Sequence, residues 1–275
     1  MPAKFDVTNR KTTAMKPSIA LLLVLALLGG IASAETKTLP IKPPVTKAFK
    51  SGESLKYLLY YGWVKGGEAT MTVQEKVYGN KKVYHAQARA YTIGMASKLY
   101  SVNDVYESYF DKKTCLPVKT VRSIAENSYR HYNEVEFDQA ENTVVSLMSG
   151  KKSVPENIFD VVSAFYYARN ELFGTLKVGD TVKFVTYFED GPYPIAVRFR
   201  GYENLTTKAG KFKAMKFSPI VEVGRIFDTP DDMSFWVSDD ENTIPLRIQF
   251  ELMIGSLKCD LVEYEGLVHK MAKIK

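Results

Sequence analysis

The sequence is poor in the residues from which most catalytic and metal sites are made. Its 275 residues include two cysteines and three histidines. Two cysteines make neither a disulfide scaffold nor a thiolate metal cluster. None of His85, His131 and His269 has a second His or Cys at ligand spacing, so no zinc site is legible. The hydrolase and metalloprotease motifs G-x-S-x-G and H-E-x-x-H are missing. The glycine pair in "WVKGGEA", 63–69, precedes strand-like residues rather than a helix and reads as a hairpin turn, not a phosphate loop. Asp239, Asp240 and Glu241 lack the alternating oxygens and central glycine of a calcium loop and read as a surface turn. No cofactor and no metal are expected. A carboxylate pair for acid–base work stays open, because β-folds bring distant residues together, but none is singled out.

Two further absences narrow the class. No basic stripe of the kind nucleic acid requires is present, although the net charge is +6. No apolar run reaches the ~20 residues of a membrane-spanning helix.

What is there begins with an export signal. "MKPSIALLLVLALLGGIASA" offers a basic start at Lys16, an apolar run Ile19–Leu28, and small residues at Ala32 and Ala34. Cleavage is expected after Ala34, making 1–34 a signal peptide and the protein periplasmic. Translation starts at Met1 or Met15. No cysteine follows the run, so a lipoprotein is not expected. Removing 1–34 takes away Lys4, Arg10, Lys11 and Lys16 against Asp6, a net +3, and leaves +6 − 3 = +3. Cys115 and Cys259 enter an oxidising compartment, where they form a disulfide or remain buried thiols.

Residues 35–48 are rich in Pro and Lys and read as a linker, and 269–275 as a basic tail. Between them, 49–268 reads as one β-rich domain. Ala69, Met71 and Val73 alternate with Thr70, Thr72 and Gln74, and Ile244, Leu246, Ile248 and Phe250 alternate with Pro245, Arg247 and Gln249. Period two with one polar face means antiparallel strands. Turn signals at 78–82, 189–194, 208–211 and 238–245 separate about a dozen of them.

"GESLKYLLYY" from Gly52 and "GDTVKFVTYF" from Gly179 share one pattern at an offset of 179 − 52 = 127. "DKKTCLPVK" from Asp111 and "DDENTIPLR" from Asp239 repeat at 128. The expectation is two similar halves, 49–150 and 176–268, forming an open or closed barrel-like meander. One helix, 157–173, lies between them, packed inside or against the sheet. Asn157 is its expected N-cap, with Asp160 at N3 and Arg169 in the last turn, where the helix dipole accounts for both charges. Val161, Val162, Ala164, Phe165, Tyr166, Tyr167 and Ala168 cover most of its circumference, so it is buried on several sides. Ala86, Ala88 and Ala90 form a small-residue ladder with room for a helix or a ligand.

The chain resembles the secreted bacterial family known as domain of unknown function 3108, over 49–265. The residues that carry the resemblance are Gly52, Glu53, Leu55 and Tyr57; Gly66, Gly67 and Ala69; Asp160, Ser163, Tyr166 and Arg169; and Trp236, Ser238, Asp239, Asp240, Ile244 and Pro245. The resemblance implies a periplasmic β-rich protein, an open barrel similar to lipoprotein carriers, and implies no activity.

The reading is therefore a non-enzymatic envelope module that binds an apolar or amphipathic ligand, a lipid among them, or an envelope partner. Ser163, Tyr166 and Arg169 at a cavity rim, with Trp63 and Trp236, are its candidate ligand-binding residues. The alternatives are a solid-core structural or interaction protein and an envelope glycan hydrolase.

Overall fold

The computed structural model describes residues 48–171, 176–220, 233–251 and 255–275. Residues 1–34, expected as a signal peptide, and 35–47 of the expected linker lie outside these residues. The first run of strands is β1 (Glu53–Tyr61), β2 (Val64–Tyr78), β3 (Lys81–Thr92), β4 (Asn103–Asp111), β5 (Pro117–Glu126), β6 (Tyr129–Asp138), β7 (Thr143–Ser146) and β8 (Gly150–Ser153). A short helix, α1 (Gly94–Leu99), interrupts it, and the main helix, α2 (Val161–Glu171), follows it. The second run is β9 (Thr181–Phe188), β10 (Gly191–Thr207), β11 (Gly210–Pro219), β12 (Met233–Ser238), β13 (Pro245–Glu251) and β14 (Ser256–Glu265).

All fourteen strands form one sheet in the order β8-β7-β6-β5-β4-β3-β2-β1-β14-β13-β12-β11-β10-β9. Every neighbouring pair is antiparallel, and β1 against β14 joins the two meanders. The sheet curls but does not close, leaving β8 and β9 as its outer strands. The chain entering α2 crosses this gap. The Phe159 N–H donates to the Val185 carbonyl at 3.1 Å, and the Tyr187 N–H donates to the Phe159 carbonyl at 2.7 Å, a short parallel bridge onto β9. The Gln139 side chain donates to the Ile158 carbonyl from the β6 side.

Alternation sets the concave face. Along β4, Asp104, Tyr106, Ser108 and Phe110 are buried, and their neighbours are partly or fully exposed. The α2 helix sits inside the curl, its Phe165, Tyr166 and Tyr167 buried in one cluster with Tyr84, Phe110, Phe199 and Phe217. A second cluster, Leu55, Tyr57, Leu246, Phe250 and Leu261 among others, fills the other end. Burying each large apolar side chain contributes about 1.5–3 kcal/mol, so the helix is held chiefly by its apolar circumference.

The helix begins later than its sequence suggested. Asn157 is not the cap; it lies in a turn with φ 56°. Asp160 caps instead, its Oδ1 accepting from the Val162 N–H at 2.8 Å and the Ser163 N–H at 3.1 Å, while Ser163 Oγ accepts from the Asp160 N–H at 3.1 Å. This reciprocal pair is a capping box with serine in the far position. The reason for the shift is the parallel bridge, which commits Phe159 to extended backbone. The last three residues of "NELFG" and the Thr175 that follows lie outside the described residues.

Other corrections are local. Gly66 and Gly67 lie within β2, and the turn falls at Gly62-Trp63, where Gly62 takes φ 56°. The basic tail packs back on the domain: Lys273 bridges to Phe212, the Ile274 N–H donates to the Lys211 carbonyl, and Met271 is buried. Cys115 and Cys259 are buried in separate core clusters and are not bonded to each other.

Gly52 and Gly179 occupy matching places. Each precedes the first strand of its meander with positive φ, 93° and 99°. Each donates its N–H to the following hairpin partner, Val73 and Phe199, at 2.9 Å. Cys115 and Thr243 likewise share positive φ, 57° and 47°, two residues before Pro117 and Pro245 open β5 and β13.

Candidate functional site

One cross-strand row of the concave face carries the most chemistry. Reading across the sheet, the register aligns Asn133 on β6 with Arg122 on β5, Arg122 with Tyr106 on β4, Tyr106 with Ala88 on β3, and Ala88 with Met71 on β2. The row passes from polar to apolar at Tyr106.

Space follows the same row. A cavity of about 310 Å³ lies between Tyr106, Arg122, His131 and Asn133 on the sheet, Asp160 at the start of α2, and Asp190 on the β9–β10 turn. That is at the lower end of the ~300–1,000 Å³ typical of small-molecule sites. It shares Tyr106, Val161 and Val162 with an apolar cavity of about 80 Å³ lined by Met71, Ala88, Ala90 and Phe165. The alanine ladder makes this room: a larger side chain at 88 or 90 would fill it. Ala90 also borders a third cavity of about 210 Å³, beneath α1.

The polar groups of the first cavity divide into satisfied and unsatisfied. Asp160 is saturated: besides its two cap bonds it accepts from Ser108 Oγ at 2.5 Å. Burial nevertheless pushes its carboxyl up to about 6. Asp190 accepts from Ser146 Oγ at 2.6 Å and from Asn133 at 3.2 Å. Arg122 lies with its guanidinium carbon 4.7 Å from the Phe188 ring centre. Its ion pair with Glu189 is long, 3.5 Å, and Glu189 is 48% exposed at the cavity mouth. Arg122 Nε and the Tyr106 hydroxyl have no hydrogen-bond partner among the described residues. Leaving buried donors unpaired is costly, so both are groups that an incoming acceptor would satisfy. Burial raises the Tyr106 phenol well above its usual range, keeping it a donor. Burial, and then Arg122, hold His131 below its ordinary range.

Next to this cavity, Asp104 and Glu126 form a buried carboxyl pair. Burial raises Asp104, and the neighbouring Glu126 carboxyl raises it further. Tyr100 donates to a Glu126 oxygen at 3.1 Å, and the Ala125 N–H donates to Asp104.

The residues singled out from sequence lie elsewhere. Ser163 serves the helix cap. Tyr166 is packed against Phe49 at 4.7 Å and Phe110 at 5.5 Å between ring centres. Arg169 is 1% exposed and fully engaged. Its Nη1 and Nη2 meet Glu53 Oε1 and Oε2 at 2.5 and 2.8 Å. Nε and Nη2 also donate to the Asn242 carbonyl, and Nη2 to the Ala48 carbonyl. Trp236 is buried, donates to Glu203 and carries Lys216 at 5.1 Å over its ring. Trp63 stands 91% exposed on the β1–β2 turn. The helix trio therefore shares one helix but neither tryptophan joins it. Arg122 and Tyr106 were missed because their significance comes from register; only the alternation of β4 and β5 hinted at it.

A model of the family described as a protein of unknown function, DUF3108, matches residues 56–262. The chain belongs to the DUF3108 family. No curated protein matches it. A beta-barrel-like protein of domain of unknown function DUF1849 from Brucella abortus superposes with a TM-score of 0.52 at 10% identity, over 79% of this chain and 98% of that one. A DUF1089 family protein from Pseudomonas aeruginosa gives 0.35 at 8% identity, over 73% and 92%. The likeness to the Brucella protein speaks for a shared fold, and for the fold alone.

Several of the residues that carry the sequence resemblance converge in this fold. Glu53 and Arg169 pair, and Asn242, within the "SDDENTIP" turn, receives the same guanidinium. Ser238 Oγ donates to Asp240 and accepts from the Ile244 N–H. The Tyr57 hydroxyl donates to the Pro245 carbonyl at 3.1 Å. These contacts join α2, β1 and the β12–β13 turn.

Proposed function

We propose that the protein is an exported, non-enzymatic module of the bacterial envelope that holds an amphipathic ligand inside its open barrel. The ligand's apolar part lies along Ala88, Ala90 and Met71, and a hydrogen-bond acceptor on its polar part takes Arg122 Nε and the Tyr106 hydroxyl. The observation that carries this reading is the row Asn133–Arg122–Tyr106–Ala88–Met71, on which unpaired donors meet an apolar cavity. Cavities on both sides of Tyr106 favour it over a solid core. The Asp104–Glu126 pair does not favour a glycan hydrolase: the Glu126 carboxyl lies close enough to help raise Asp104, whereas glycosidase carboxyls stand about 5–9.5 Å apart.

The two meanders are further read as copies of one half. Their support is the matching glycines at 52 and 179 and the matching positive-φ residues before Pro117 and Pro245. Coexpressed as separate chains, the halves are expected to associate; two halves that remain apart would count against this reading.

Titration calorimetry with methyl octanoate tests the ligand site. Binding should be lost in Ala88→Leu, which fills the chain cavity, and weakened about tenfold in Arg122→Met, which removes the charged donor. Equal binding by all three proteins would overturn the assignment.

A further inference from the structure

The end of the barrel around the third cavity has an unusual surface. Helix α1 turns its small face inward and its large apolar side chains outward. Ala96 faces Gly66, whose added Cβ would lie 3.6 Å away, and none of the helix's residues is buried. Met95 and Leu99, one turn apart and so on one face, are 70% and 82% exposed. Beside them stands the β1–β2 turn with Trp63, 91% exposed, flanked by Tyr61 and Val64 at 49% each. The third cavity ties the two elements together, being lined by Tyr61, Gly66, Ala96, Leu99 and Tyr100. The β5–β6 turn belongs to the same end, because the Asn127 and Ser101 backbones are hydrogen-bonded, and it adds the half-exposed Tyr129. An outward-facing apolar pair on a helix, continuous with an exposed tryptophan and two tyrosines, is a surface made to be covered.

We infer that this face docks on a lipid bilayer. Two features choose lipid over a second protein. Tryptophan and tyrosine on a projecting rim are the side chains that settle at the headgroup boundary. Exposed Lys65, Lys98 and Arg130 stand among them, a complement to anionic headgroups; Lys65 also bridges to Glu68 at 3.2 Å. The docked face brings the third cavity, which borders the Ala88–Ala90 cavity at Ala90, against the membrane. The inference does not depend on the ligand reading, since the face would dock with or without a ligand.

The protein as processed by its host is tested against vesicles of phosphatidylcholine with one quarter phosphatidylglycerol. With only two tryptophans in the chain, Trp236→Phe leaves Trp63 as the sole reporter. Its emission should shift to the blue and be quenched by lipids brominated near the headgroup. Co-sedimentation should fall about tenfold or more in Trp63→Ser with Leu99→Ser, with circular dichroism unchanged. Unshifted Trp63 emission, or co-sedimentation untouched by the double substitution, would overturn the inference. So would sedimentation velocity showing a dimer that the substitutions dissolve, since the face would then bind a second copy.

Discussion

Arg169 reaches from the last turn of α2 to clamp Glu53 at the first residue of β1, both oxygens engaged and both side chains at most 1% exposed. An ion pair this deep is strongly destabilising when broken from one side, because the survivor is an unpaired buried charge. Arg169→Met or Glu53→Gln should each lose roughly 3–5 kcal/mol in urea unfolding. The double variant should lose less than the sum, a coupling that a double-mutant cycle reads directly. Additive losses would mean that the two act separately.

Asp160 makes stability depend on pH. Burial raises its carboxyl to about 6, against 3.8 for the free group. The native chain therefore keeps a proton that the unfolded chain has already released. The stability this group supplies is full below pH 3.8 and is lost as pH rises through about 6, by about 3 kcal/mol at most. Asn is also a good cap, so Asp160→Asn should flatten the curve over that window and match or exceed the parent at pH 7. Thermal melts across pH 4–8 check this; an unchanged slope would contradict it.

The Asp104–Glu126 pair acts in the same direction. Asp104 is raised by burial, then by Glu126, so its contribution falls as pH climbs above the ordinary carboxylate range. Asp104→Asn should be close to neutral at pH 5 and stabilising at pH 8. Equal effects at both pH values would show that the pair shares no proton.

Much of the fold was legible in the sequence for physical reasons. Period-two alternation in 69–76 and 244–251 indicated the strands, although burial follows it only in part: Val73, Leu246 and Phe250 are buried, while Ala69, Met71 and Ile248 are half-buried. The greasy circumference of α2 indicated a helix enclosed by sheet, and Ala88 and Ala90 indicated room beside it. Of the charges on that helix, Asp160 does serve the free N–H groups at the helix start, as the cap rather than at N3, but the account of Arg169 was incomplete. Helix-end chemistry is a local explanation, and for Arg169 the decisive partner is 116 residues away. The candidate site was hidden for the same reason. Nothing in "KTVRSIAE" marks Arg122 until the register sets it across from Tyr106, between Asn133 and Ala88.

Native mass spectrometry of the protein released gently from the envelope tests the central claim most directly. A ligand-bearing interior predicts a mass excess that extraction removes and that Ala88→Leu never acquires. A parent protein that flies only at its bare mass, indistinguishable from Ala88→Leu, would contradict it.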